Sequence, residues 1–119
     1  MKTSDTGKLA VWHKSIMLTE QVYRLTALLP VQEKFGLCDQ MRRAAISIPS
    51  NIAEGHGRFS VKEFIHFLSI ARGSLSELKT QIILCQRIYN IKSPEVENIN
   101  MQIIEIDKMI NALARSLGA

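Results

Sequence analysis

Glu63 and His66 have the spacing Glu-x-x-His. On a helix this spacing sets a carboxylate and an imidazole on one face, as in ferritin-like di-iron bundles. Such a centre needs two of these pairs plus a glutamate from each of two further helices. The chain has one pair, and Glu63 is accounted for by a capping box with Ser60, so no metal or cofactor is expected. The remaining histidines, His13 and His56, are scattered, and neither has a serine or cysteine partner with a third orienting group. Cys38 and Cys85 have no metal or redox spacing and read as reduced, buried thiols. These patterns point away from an enzyme and toward binding.

The residue types that fit a binding role are cations. Arg42 and Arg43 are adjacent on one helical pattern, and Arg58 and Lys62 flank the joint that follows it. Together they make a candidate phosphate-binding patch that would act through charge without reading bases. The competing reading pairs Asp39 with Arg43 and Glu54 with Arg58 at i,i+4, leaving the charges solvated. Residues 1–92 carry 13 Lys/Arg against 7 Asp/Glu, whereas residues 93–119 carry 2 against 4. The first three helices therefore suit an acidic partner such as RNA or DNA. Trp12, Phe59, Phe64, Phe67 and Tyr89 fit core or interface positions better than base-stacking ones, because the pattern already gives several of them packing roles.

Four helices must position these groups. Residues 1–8 are polar and patternless and read as a disordered tail; residues 9–119 form one domain. From Leu9 to Leu29 the apolar stripe Val11, Leu18, Val22, Leu25 and Leu29 is widened by Trp12, Ile16 and Tyr23, more surface than one neighbour needs. Pro30 ends that helix. The second, capped at Gly36 or Asp39, buries Leu37, Met41, Ala44, Ala45, Ile48 and Ile52. Pro49 lies inside it, removing the bond to the Ala45 carbonyl, so a kink is expected, or else help from the Ser47 and Ser50 hydroxyls. The helix should continue to Glu54 and end in a Gly55-His56-Gly57 joint.

The third helix starts at the Ser60/Glu63 box, with Phe59 and Phe64 in the positions of a hydrophobic staple. Its seam, Val61, Phe64, Leu68, Ala71, Leu75, Leu78, Ile82, Cys85 and Tyr89, alternates steps of three and four without a slip. Beside it runs a line of small residues, Ser69, Gly73, Ser76 and Thr80, where another backbone can approach. Ser93 and Pro94 open the fourth helix, Val96, Ile99, Ile103, Ile106, Ile110, Leu113 and Leu117 form its seam, and Gly118 is placed to cap it. The expected fold is all-α: an antiparallel up-down four-helix bundle. Trp12 and the small-residue line are the expected packing seam between copies in a homo-oligomer.

No apolar run exceeds four residues. A secretory segment needs about 7–15 and a membrane span about 20. A cytoplasmic protein without a membrane partner is therefore expected.

The blocks FGLCDQMRRAAISIPSNIAEGHGR, Glu63-Phe64, Phe67-Leu68 and IARGSLSELKTQI, with Trp12 and Pro30, resemble the bacterial 23S ribosomal RNA intervening-sequence protein family. The most specific of these is Ser47–Gly55, SIPSNIAEG. The resemblance implies an up-down four-helix bundle assembling as a ring-like homopentamer. It is also similar to accessory proteins of diversity-generating retroelements, basic pentameric bundles that bind nucleic acid and a reverse transcriptase. The resemblance thus implies a non-enzymatic accessory protein binding RNA or DNA, with a structural or protein–protein adaptor as the alternative. Lys79 and Arg72 depart from the family pattern, and both add positive charge to the third helix.

Overall fold

The computed structural model describes the backbone of residues 3–119 and the side chains from residue 10 onward. Four helices follow one another: α1 (Thr3–Thr26), α2 (Leu37–His56), α3 (Val61–Tyr89) and α4 (Pro94–Ser116), with a one-turn 3-10 helix at Val31–Glu33. Among the described residues there is no strand, and no helix is long and apolar enough to cross a membrane. α1 begins inside the stretch read as a tail; residues 1 and 2 lie outside the described residues. A helix nucleated by its packed turns propagates through polar residues at one hydrogen bond per residue fixed.

Each helix packs on its neighbours in sequence, and α1 also packs on α4; the backbones of the diagonal pairs do not approach closely. This is a square, up-down-up-down bundle. Its long axis of 44 Å equals the length of the 29-residue α3 at about 1.5 Å per residue. Lys14 Nζ to Glu105 Oε1 (2.9 Å), Arg24 Nε to Glu95 Oε1 (3.9 Å) and Arg72 Nε to Asp107 Oδ1 (2.9 Å) mark the antiparallel register of α4 against α1 and α3. All three pairs are substantially solvated, where such pairs contribute about 0–1 kcal/mol, so they align the helices more than they hold them. What holds them is the apolar centre. Leu18, Leu25, Met41, Ile48, Ile52, Leu68, Leu75, Leu78, Ile82, Ile99, Ile106 and Ile110 are fully buried; each contributes about 1.5–3 kcal/mol by leaving water. The predicted seams are buried over nearly their whole length, with Val61 exposed and Tyr89 and Leu117 half-buried at the ends.

The helix ends follow the expected chemistry in part. Ser60 Oγ accepts from Glu63 N (3.0 Å) and Ser93 Oγ from Glu95 N (3.2 Å), opening α3 and α4. Gly118 lies at φ +103°, and the bonds Ala119 N to Ala114 O and Gly118 N to Arg115 O, both 3.0 Å, complete a Schellman cap on α4. Gly36 caps α2, and Asn90, in the left-handed region at φ 51°, closes α3. The staple is not formed, since Phe59 is fully exposed. Its intended partner is committed elsewhere. A Cβ on Gly55 would stand 2.7 Å from Phe67 Cβ and 2.9 Å from Phe64 Cδ1, so the missing side chain lets α3 start against α2 with Phe64 filling the gap. For the same reason α2 passes through Gly55 and ends at His56, two residues beyond the expected stop at Glu54.

α2 also runs unbroken through Pro49. The stranded Ala45 carbonyl is met from outside its own helix: Thr19 Oγ1 on α1 lies 3.1 Å from Ala45 O and 2.8 Å from Ser15 O, one hydroxyl proton shared between two acceptors. The hydroxyls expected to compensate have other partners. Ser50 Oγ donates to Ile46 O (2.8 Å), and Ser47 Oγ pairs with Ser74 Oγ on α3 (2.8 Å). Neither serine points back over the proline.

Replacing Thr19 with valine keeps the shape and removes the donor, so unfolding in urea should show a loss of about 1–3 kcal/mol. Pro49→Ala restores an amide that Ala45 O can accept, so Thr19→Val should cost clearly less in that background. Equal costs in both backgrounds would show that the Thr19–Ala45 bond does not compensate the proline.

Candidate functional site

The predicted cations do not form one patch. Arg42 and Arg43 lie near the start of α2, while Arg58 follows its end and Lys62 opens α3. Fifteen residues separate Arg43 from Arg58, roughly 22 Å of helical rise. Three of the four are also engaged. Arg42 Nε donates to Thr26 Oγ1 (2.8 Å), and its guanidinium stacks 4.3 Å from the Tyr23 ring centroid, fastening α2 to the end of α1. Arg43 Nε bonds Asp39 Oδ2 at 2.9 Å. Arg58 Nη2 meets Glu54 Oε1 at 2.6 Å, with Glu63 Oε1 4.0 Å from Nη1 and the Phe67 ring 4.9 Å from Cζ. Of these four, Lys62 alone is exposed with no carboxylate in ion-pair range among the described residues.

Other uncommitted cations lie on the opposite flank. Two adjoining grooves of about 200 and 240 Å³ run between α3 and α4 and share Arg72. Lys79 and Lys108 line the first and Arg115 the second; all three are exposed, without a carboxylate partner among the described residues. The only carboxylate in the lining is Asp107, held by Arg72. Sequence reasoning flagged Arg72 and Lys79 as added charge but passed over Lys108 and Arg115, because the last helix is acidic in total.

The expected inter-copy seam is likewise divided. Trp12 lines an open apolar groove of about 410 Å³ between α1 and α2, with Ile16, Ile46, Pro49 and Ala53. Ser69, Gly73, Ser76 and Thr80 are exposed on α3, and a Cβ on Gly73 would meet nothing within 4 Å. Trp12 and the small residues thus occupy opposite flanks of the square.

Glu63 and His66 are both exposed; Glu63 faces Arg58, and His66 stands edge-on to Phe67 at 5.6 Å. Among the described residues no group of three or more His, Cys, Asp or Glu is placed to hold a metal. Both cysteines are buried. Burial, and then the nearby Glu33 charge, push the Cys85 thiol upward in pKa, which keeps it protonated and weakly nucleophilic. At that end of the bundle the Tyr89 hydroxyl donates to Glu33 Oε2, while Glu33 Oε1 accepts from Leu37 N at 3.0 Å. The Tyr89 bond, then the Leu37 amide, hold the Glu33 carboxyl below its usual value; the same bond, with burial and the Glu33 charge, raises Tyr89.

The family profile described as 23S rRNA-intervening sequence protein matches residues 7–112. Among curated proteins none matches. Among solved structures, the crystal structure of a protein of unknown function from the S23 ribosomal protein family of Bacteroides thetaiotaomicron aligns with a TM-score of 0.82 at 27% identity. The alignment covers 92% of this chain and 98% of that one.

The Glu33 contact sets a pH dependence. Its carboxyl is depressed in the folded state, so the stability it supplies is present above the ordinary value of 4.5 and is lost as pH falls through the lowered one. Tyr89→Phe should lower the melting temperature at neutral pH and by less in acid, below the titration of Glu33. A loss as large in acid as at neutral pH would show that the hydrogen bond is not its source.

Proposed function

The chain belongs to the 23S rRNA-intervening sequence protein family, and from that premise we propose that it is a non-enzymatic, oligomeric bundle that binds RNA or DNA without reading sequence. The observation that carries this reading is the pairing of its cations. In a chain of net charge +4, Lys62, Lys79, Lys108 and Arg115 are exposed and have no carboxylate partner among the described residues. Such groups meet a phosphate without first giving up an ion pair, and each displaces a counterion from the polyanion.

The oligomeric part of the reading rests on apolar surface. Ile46 is 43% exposed at the rim of the Trp12 groove, and Ile83 and Leu84, each 43% exposed, lie toward the C-terminal end of α3. A closed ring needs two different contact faces on every copy. The α1/α2 groove offers one, the Ile83–Leu84 stretch of α3 the other, and five is the expected number. A ring repeats each modest phosphate site, so weak single contacts sum to avidity on a long strand.

A structural or adaptor assembly is the second reading. It is favoured by the internal engagement of Arg42, Arg43 and Arg58, which in that case serve the fold alone.

Two measurements decide between them. Light scattering should give a mass that is a multiple of 13.4 kDa, reduced by Ile46→Glu; a one-chain mass for the wild type refutes the assembly. Binding of mixed-sequence RNA and DNA should weaken steeply between about 50 and 200 mM salt, with a log–log slope near −0.9 for each duplex phosphate contacted. No binding at the low-salt end leaves the adaptor reading in place.

A further inference from the structure

We propose that the groove between α3 and α4 seats the phosphodiester backbone of a single nucleic-acid strand, an inference that rests on the nucleic-acid reading above and gives it a site. Arg72, Lys79, Lys108 and Arg115 line the two adjoining lobes, against the single carboxylate of Asp107. Arg72 spends one N–H on that carboxylate (2.9 Å) and keeps other guanidinium donors for a ligand. The remaining three cations are uncommitted, so the groove keeps an excess of positive charge after every internal pair is formed.

The dimensions select a single strand. The two lobes, about 200 and 240 Å³, offer room for one sugar–phosphate backbone at a time. Lys79 and Arg72 are seven residues apart on α3, as are Lys108 and Arg115 on α4, about 10 Å of rise in each case. At about 3.4 Å per phosphate along a stacked strand, this places a cation at every third phosphate. Ser69 and Ser76 keep the α3 wall low, and exposed Ile104 offers an apolar surface to sugars. No aromatic side chain lines either lobe, so the bases have no stacking platform and the groove holds a strand by its backbone alone.

The test uses the full chain and fluorescently labelled single-stranded RNA of mixed sequence, titrated between about 50 and 200 mM salt. The variants are Lys79→Ala/Lys108→Ala/Arg115→Ala and, separately, Ser76→Glu, which sets an opposing charge in the groove without removing a cation. All four positions are exposed, and circular dichroism checks that helical content is kept. Each single-strand phosphate contact contributes about 0.7 to the salt slope, so the triple variant should be flatter by about 2 and weaker for every sequence alike. Ser76→Glu should weaken binding in the same direction. If the wild type binds and both variants match it in affinity and slope, the groove is refuted while the general reading stands. If the wild type fails to bind at low salt, both are refuted. A change in assembly mass with RNA binding intact would assign the groove to an acidic face of a second copy and overturn the proposal.

Discussion

A proline in the middle of α2 leaves the Ala45 carbonyl without its helical donor, and the structure depends on how that vacancy is met. Left alone, an interior proline costs about 3 kcal/mol. Here the donor comes from another helix, Thr19 on α1. Two residues along, Ser47 reaches in the other direction to Ser74 on α3, while Asn51 Nδ2 bonds both Ser47 O (2.7 Å) and Ser47 Oγ (2.8 Å). A short polar tie therefore crosses three helices at one level of an otherwise apolar bundle. Apolar packing tolerates a small slide of one helix along another better than a directional hydrogen bond does. The defect in one helix thereby fixes the register of its two neighbours.

That register has consequences at both ends of α2. With α2 one helix from Leu37 to His56, Gly55 arrives where Phe64 and Phe67 can close over it. At the opposite end Arg42 reaches Thr26 and Tyr23. The basic residues that look like a cluster in the sequence are distributed along a rod, and most are used to fasten it.

The bundle itself was legible because its signal is periodic. Slip-free alternation of steps three and four in α3 and α4 names the buried face, and burial follows it everywhere but at the ends. The i,i+4 pairs Asp39–Arg43 and Glu54–Arg58 were equally readable, since helix geometry alone brings them together. Contacts between helices were not. Nothing local marks Thr19 as the partner of Ala45, or shows that Phe64 will turn to Gly55 and leave Phe59 in water. The candidate site failed to be legible for a related reason. Net charge by segment conceals which charges cancel: three of the four carboxylates of α4, Glu105, Glu95 and Asp107, are spent on Lys14, Arg24 and Arg72, leaving Lys108 and Arg115 uncommitted on a helix of negative total. Pairing is a property of surfaces, and a sum along the chain does not contain it.

The cyclic packing of the helices also orders their assembly. Three of the four interfaces join helices adjacent in the chain, and only the α1–α4 interface spans nearly all of it. Chain-closure entropy grows with the logarithm of the enclosed length, so roughly tripling the loop adds about 1 kcal/mol to the cost of that interface. The three local interfaces enclose shorter loops and close more cheaply. By chain-closure entropy alone the contact that shuts the square is the costliest of the four to form, and Lys14–Glu105 and Arg24–Glu95 lie along that seam.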